Sequence, residues 1–155
     1  MCRLAALMLS MAFMSLACSN KRSTNIDEQI ANILDSFYKT ERQESYWEIS
    51  QTNWKSGFAR IERLARTEGG DLVCDILLEK SRLPNSPELL YWGTELVLEI
   101  DAAGWLANNE SRNEIINAVI DNIIRADPEP RRLLARAALT NVRLSIDQAD
   151  KLKKY

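Results

Sequence analysis

The sequence contains no histidine, and this absence removes the commonest tools of enzyme chemistry. Histidine is the only side chain whose unperturbed pKa lies near neutrality, which makes it the usual general base and a frequent metal ligand. Catalytic triads that need an imidazole are therefore excluded, as are metal sites held by imidazole. Enzymes that use paired carboxylates or a lysine remain compatible with the sequence.

Glycine and cysteine are also scarce, with 5 and 3 residues among 155. The few glycines form no phosphate-binding loop, the cysteines have no metal-ligand spacing, and there is no nucleophile elbow. We therefore expect no nucleotide, no zinc and no other cofactor. The net charge of −2 has no basic excess that would attract nucleic acid, so no nucleic-acid partner is expected.

The composition itself is that of a folded protein, with 46% apolar and 27% charged residues. A chain of this length usually makes one domain. Residues 4–17, LAALMLSMAFMSLA, form an apolar run behind Arg3. The run has the order of a cleaved secretory signal and is too short to cross a membrane comfortably. The weaker alternatives are an uncleaved anchor and a buried core helix. We interpret 1–17 as a signal peptide, 18–24 as a tether and 25–155 as the domain.

The end of this run, Ser15-Leu16-Ala17-Cys18, resembles the lipobox of bacterial lipoproteins, with the leucine one position later than in the family pattern. The resemblance implies cleavage before Cys18 and a diacylglyceryl group on its sulfur. It also implies a protein held on the periplasmic face of a membrane. Small residues at Ala17 and Ser15 equally suit ordinary signal peptidase, which would leave a soluble periplasmic protein.

The expected chemical state of Cys74 depends on whether Cys18 carries lipid. If Cys18 carries lipid, Cys74 is expected to be a buried thiol, since free cysteine behaves as a small hydrophobe. If Cys18 is not lipidated, an oxidising compartment would allow a disulfide between Cys18 and Cys74.

Beyond residue 24 the hydrophobic pattern is helical almost everywhere. It predicts an all-α fold, a small antiparallel bundle of about six helices. The predicted helices cover residues 25–43, 52–67, 71–83, 86–103, 111–124 and 127–144, with a short last turn from 145. In the third helix we expect Leu72 to point inward, and in the sixth we expect Asn141 to lie among the apolar residues.

The helix starts are marked by capping signals. Capping boxes are predicted for Asn25 with Glu28 and for Ser111 with Glu114, and Ser145 with Gln148 suggests a short final turn or helix. Ser86-Pro87 and Asp127-Pro128 combine a cap with a proline at the first helical position. These two starts are separated by a distance typical of HEAT or armadillo repeats, so helix pairs of that kind are the alternative to a plain bundle.

Two sets of side chains are candidate partner-binding residues. On the fourth helix, Tyr91, Leu98 and Trp105 share one side, bordered by Trp92, and they form either core packing or an exposed aromatic strip. On the sixth, Arg132, Arg136 and Arg143 share a side. This side is either a solvated face or a dock for an acidic partner or for lipid head groups.

An acidic ridge on the fourth helix, formed by Glu88, Glu95 and Glu99, is the one feature compatible with enzyme chemistry. A carboxylate pair needs one carboxyl group with a raised pKa. Carboxylates on an open helix face stay in water, and a solvated ridge is the favoured interpretation.

The sequence therefore predicts a non-catalytic lipoprotein of the bacterial cell envelope that binds a protein partner, as an inhibitor, an immunity-type protein or an assembly factor. One alternative is a carboxylate enzyme acting on envelope glycans. The other is a structural subunit of an envelope complex. The general plan is shared with small helical exported proteins that neutralise wall-cutting enzymes, which is an analogy of architecture alone.

Overall fold

The computed structural model of the chain describes residues 25–37, 51–106 and 109–155. Within these ranges every regular element is a helix, which confirms the predicted all-α bundle. Residues 25–37 belong to α1. The others are α2 (Gln51–Glu68), α3 (Gly70–Ser81), α4 (Pro87–Ala102), α5 (Asn109–Arg125), α6 (Pro128–Asn141) and α7 (Ile146–Leu152). Repeated helix pairs of the HEAT type remain a prediction.

Helix α4 lies at the centre of the bundle. It packs against α2, α3, α5 and α6. Side chains around nearly its whole circumference are buried, namely Tyr91, Trp92, Thr94, Leu96, Val97, Leu98, Ile100 and Asp101. A helix that is apolar on more than one side is expected to have neighbours on each of those sides.

The hairpin of α3 and α4 is the closest helix pair, and a glycine makes the approach possible. A Cβ atom at Gly93 of α4 would overlap the Ser81 hydroxyl of α3 and approach the Leu77 carbonyl oxygen to 3.0 Å. Gly69, which separates α2 from α3, has a φ of 101°, a conformation that glycine adopts readily. Helix α2 ends at Glu68, one residue beyond the end predicted for the second helix.

The helix starts agree with the sequence in part. The short final helix suggested by Ser145 and Gln148 is present, and both hydrogen bonds of a capping box form at its start. Pro87 and Pro128 begin α4 and α6. Ser86 and Asp127, however, make no side-chain cap bond. The box predicted at Ser111 is wrong, because α5 is already helical at Asn109.

The core contains the predicted apolar faces with two corrections. In α1, Ile26, Ile30, Ile33, Leu34 and Phe37 are buried as expected, whereas the predicted Tyr38 lies outside the described residues. Leu72 is 38% exposed because the inner face of α3 is centred on Val73, Cys74 and Leu77.

The second correction concerns Asn141, which is exposed and not among the apolar residues as predicted. Helix α6 ends at Asn141. The next residue, Val142, has an extended backbone and a buried side chain.

The two ends of the bundle are distinguished by two ion pairs. At one end, Lys80 in the last turn of α3 lies 2.9 Å from the Asp27 carboxylate, which places the first turn of α1 beside the loop between α3 and α4. We call this the α3–α4 loop end. At the opposite end of α4, Asp101 accepts hydrogen bonds of 2.5 and 2.8 Å from the Arg112 guanidinium of α5. We call this the Arg112 end.

Arg112 also connects the last two helices to the bundle. Its Nη2 donates to the Arg143 carbonyl oxygen at 2.9 Å, in the loop between α6 and α7. Only 4% of the Asp101 side chain and 20% of the Arg112 side chain are exposed. One guanidinium therefore joins α4, α5 and the α6–α7 loop in a place where charge is costly to leave unpaired.

Replacing Arg112 by Met is expected to lower the free energy of unfolding by about 3–5 kcal/mol, since it leaves the Asp101 carboxylate buried without its cation. Urea unfolding followed by circular dichroism measures the change. The control is Lys153→Met, which breaks the exposed pair with Asp150 and should cost less than about 1 kcal/mol. Similar losses in both variants would contradict the role given to Arg112.

Candidate functional site

Three of the four predicted aromatic-strip residues lie inside the core. Tyr91, Trp92 and Leu98 are all below one-tenth exposed. The interpretation as an exposed strip is therefore wrong for these residues, and the core-packing alternative describes them. Their burial follows from the position of α4, which has neighbours on both of its apolar sides.

Tyr91 and Trp92 belong to an aromatic cluster that joins α1, α2 and α4. The Trp92 ring lies 5.2 Å from Phe37, 5.6 Å from Trp54 and 4.8 Å from Tyr91, measured between centroids. Trp54 stacks on Phe58 at 6.0 Å. Tilted and edge-to-face pairs at these distances stabilise a core beyond the area they bury.

Trp105, the fourth predicted residue, is half-buried and belongs to the Arg112 end. A Cβ atom at Gly70 would overlap its carbonyl oxygen, so the loop after α4 lies tightly against the start of α3. The Arg66 guanidinium lies 4.6 Å above its ring. Among the described residues its buried Nε1 has no hydrogen-bond partner. These contacts describe a packed corner of the bundle.

The acidic ridge is not uniformly solvated. Burial, and next to it the charge of Glu99, raises the pKa of Glu95 from 4.5 to about 7. Burial also raises the pKa of Glu99. The prediction of an open ridge is wrong for Glu95, because the neighbours that cover α4 also half-cover this carboxylate.

A raised pKa meets one requirement of a general acid, but substrate must also reach the group. A groove of about 440 Å³ lies elsewhere, between α3 and α5. Its lining consists of Asp75, Leu78, Glu79, Arg82, Ser111, Glu114, Ile115 and Ala118. Glu95 and Glu99 do not contribute to it.

The groove between α3 and α5 is acidic. Burial and the nearby charges of Asp71 and Glu114 raise the pKa of Asp75, while Arg82 lowers it. No group of side chains suitable for a metal ion occurs among the described residues. Sequence reasoning missed this groove because its two walls are separated in the chain by α4.

Arg132 and Arg136 are exposed on α6. The prediction that Arg143 lies on the same helix is wrong, because α6 ends at Asn141 and Arg143 is exposed in the loop that follows. Arg132 pairs with Glu129 at 2.7 Å, one turn earlier. Arg136 and Arg143 are exposed and make no ion pair with the described residues. The structure thus leaves two of the three guanidinium groups open to a partner.

Two apolar side chains that the sequence analysis missed lie close to these arginines along the chain. Leu139 is 40% exposed and Ile146 is 80% exposed. Arg132, Arg136 and Leu139 follow the i, i+4, i+7 spacing of one helix face, a signal that could have placed Leu139 on this surface. We call Arg132, Arg136, Leu139, Arg143 and Ile146 the α6–α7 surface.

Cys74 is fully buried and makes no disulfide with another described residue. Burial, followed by the charges of Asp71, Asp75 and Asp101, raises the pKa of this thiol. A protonated and inaccessible sulfur is a poor nucleophile and ligand. Cys74 therefore belongs to the packing and not to a reactive site. Cys18 lies outside the described residues.

Comparison with protein-family models, with curated proteins and with solved structures gives no match to this chain. Within residues 25–37, 51–106 and 109–155, no helix has the length and apolar character needed to span a membrane. The functional interpretation therefore depends on the residues and their geometry.

Replacing Glu95 by Gln is expected to stabilise the domain at pH 8 and to have little effect at pH 4.5. Because the pKa in the folded state lies above its ordinary value of 4.5, protonation favours the folded state. Its stabilising contribution is complete below about pH 4.5 and is lost as the pH rises through about 7. With allowance for solvent screening at a half-buried site, the gain at pH 8 is roughly 1–3 kcal/mol.

Urea unfolding of both proteins at pH 4.5 and pH 8 measures this difference. Glu79→Gln is the matched control, since Glu79 is an exposed glutamate on α3 and its replacement should change stability little at either pH. A gain from Glu95→Gln that is the same at both pH values would show that its charge is not the cause.

Proposed function

We propose that this protein is a non-catalytic lipoprotein of the bacterial cell envelope that binds a protein partner through its α6–α7 surface. The observation that carries this proposal is the exposure of Leu139 and Ile146 close along the chain to Arg136 and Arg143. Exposed apolar side chains next to arginines are typical of protein-binding surfaces, in which arginine is enriched.

The chemistry of this surface indicates the kind of partner. Arg136 and Arg143 offer planar donors that match carboxylates, and Leu139 and Ile146 offer apolar area. A partner that presents acidic side chains around a small apolar patch would complement both features. An inhibitor, an immunity-type protein and an assembly factor would all use such a surface.

The surface is also held rigidly enough to bind. Arg112 of α5 fixes the α6–α7 loop at the Arg143 carbonyl oxygen, and the capping box of Ser145 and Gln148 fixes the start of α7. Gln148 further donates to the Asn117 side chain at 3.1 Å, which joins α7 to α5. A preorganised surface loses less entropy when it binds.

The envelope address is supported by the sequence. The apolar run of residues 4–17 and the lipobox-like Ser15-Leu16-Ala17-Cys18 precede the helical domain. Lipidation at Cys18 would leave Cys74 without a disulfide partner, and Cys74 is fully buried. The proposal therefore combines a membrane anchor with a helical binding domain.

A photo-cross-linking amino acid placed at Ile146 in the native host is expected to give one discrete adduct with an envelope protein. Adding Arg136→Glu and Arg143→Glu should reduce the adduct about tenfold, because both charges would then repel an acidic partner. The control position is Ser56, which is exposed on α2. The binding surface is refuted if Ile146 gives no adduct, or the same adducts as Ser56.

The lipid anchor is tested by the intact mass of the mature protein in membrane and soluble fractions of the host. A membrane-bound species that starts at Cys18 and carries the added mass of lipid is expected. A soluble species of unmodified mass would reject the anchor. A loss of about two daltons from a chain that retains Cys18 would indicate a Cys18–Cys74 disulfide instead.

A further inference from the structure

The two ends of the bundle differ in their distance, along the chain, from the proposed lipid. The Lys80–Asp27 pair places the first turn of α1 at the α3–α4 loop end. Residues 18–24 separate Cys18 from Asn25, and seven residues span at most roughly 25 Å when fully extended. A lipid on Cys18 would therefore hold the α3–α4 loop end close to the bilayer.

The α3–α4 loop has side chains that suit a membrane surface. Leu83 is 48% exposed at the loop, and Arg82 and Pro84 beside it are also exposed. Asn85 has a positive φ of 60°, which turns the chain sharply before α4 begins. The turn leaves Leu83 at the outer edge of the bundle with a cationic neighbour. An apolar side chain next to a basic one is the composition that favours the headgroup boundary of a bilayer.

The α7 side of the α6–α7 surface, formed by Arg143 and Ile146, belongs to the opposite end. Helix α4 starts after the α3–α4 loop and reaches Asp101, where Arg112 connects to the Arg143 carbonyl oxygen. The 16 residues of α4 span about 24 Å at 1.5 Å per residue. Arg143 and Ile146 are therefore separated from Leu83 by about the length of this helix.

From these positions we infer that the domain contacts the lipid bilayer with its α3–α4 loop, through Leu83 and Arg82, and directs Arg143 and Ile146 away from the membrane. The inference rests on the proposed lipid anchor at Cys18. We name the bilayer as the partner of this loop because the tether ends at the first turn of α1, beside the loop. Seven residues are too few to place the loop far from a lipid on Cys18. In this orientation Arg143 and Ile146 remain accessible from the periplasm.

Because Cys74 is buried, one introduced cysteine can be labelled selectively. A lipidated Cys18 and a fully buried Cys74 should both resist a thiol reagent under native conditions. A cysteine introduced as Leu83→Cys or as Ile146→Cys then becomes the one reactive thiol of the mature protein. Both positions are exposed, so neither change should unfold the domain, which circular dichroism verifies.

The full-length lipoprotein, purified from membranes, is labelled at either position with an environment-sensitive fluorophore. It is then reconstituted into vesicles of phosphatidylethanolamine and phosphatidylglycerol that contain a lipid-borne quencher. The fluorophore at position 83 is expected to be quenched at least about threefold more than the one at 146, because a boundary group lies within 5–10 Å of the acyl chains.

The outcomes separate the two proposals. Equal quenching at both positions in a protein whose mass includes the lipid would overturn the orientation and leave the anchor intact. Stronger quenching at position 146 would reverse the orientation. An unmodified mass together with labelling of Cys18 in the parent protein would remove the anchor and overturn both proposals.

Discussion

The burial of α4 on nearly all sides is the constraint on which the rest of the structure depends. A helix with leucine, valine, isoleucine and aromatic side chains on opposite faces cannot be stable in water, and its neighbours must cover each face. The close approach at Gly93 brings α3 against one face, and α2, α5 and α6 cover the others. The aromatic cluster around Trp92 adds α1 to the same centre.

This central position makes the polar groups of α4 the most sensitive points of the fold. Thr94 accepts a hydrogen bond of 3.2 Å from the Asn122 amide, and Asp101 receives two from Arg112. Each partner comes from α5, so these bonds also set the position of that helix. Glu95 differs, because burial and a neighbouring carboxylate raise its pKa to about 7. Its charge therefore opposes folding at neutral pH, whereas Asp101 has a cation beside it.

The same arrangement separates the features that bear on function. The α6–α7 surface is attached at the Arg112 end, while the α1 start and the α3–α4 loop occupy the other. The half-buried carboxylates of α4 do not line the groove between α3 and α5.

The local sequence pattern was sufficient to predict much of the fold. The periodicity of apolar residues, the prolines at 87 and 128 and the Ser145–Gln148 box act over one or two turns, and the helices they predict are present. The same reasoning identified the exposed arginines of α6. It misjudged Leu72, Ser111 and Asn141, whose surroundings depend on where a helix edge or end falls against its neighbours.

The sequence by itself determined the helical class, most helix starts and stops, and the apolar run and cysteine that precede the domain. Only the tertiary structure decided that Tyr91, Trp92 and Leu98 are core, that Glu95 is half-buried, and that Leu139 and Ile146 are left exposed near two arginines. The reason is physical. Helix formation follows from side chains a few residues apart, whereas burial and pKa depend on which distant segments pack against a given face.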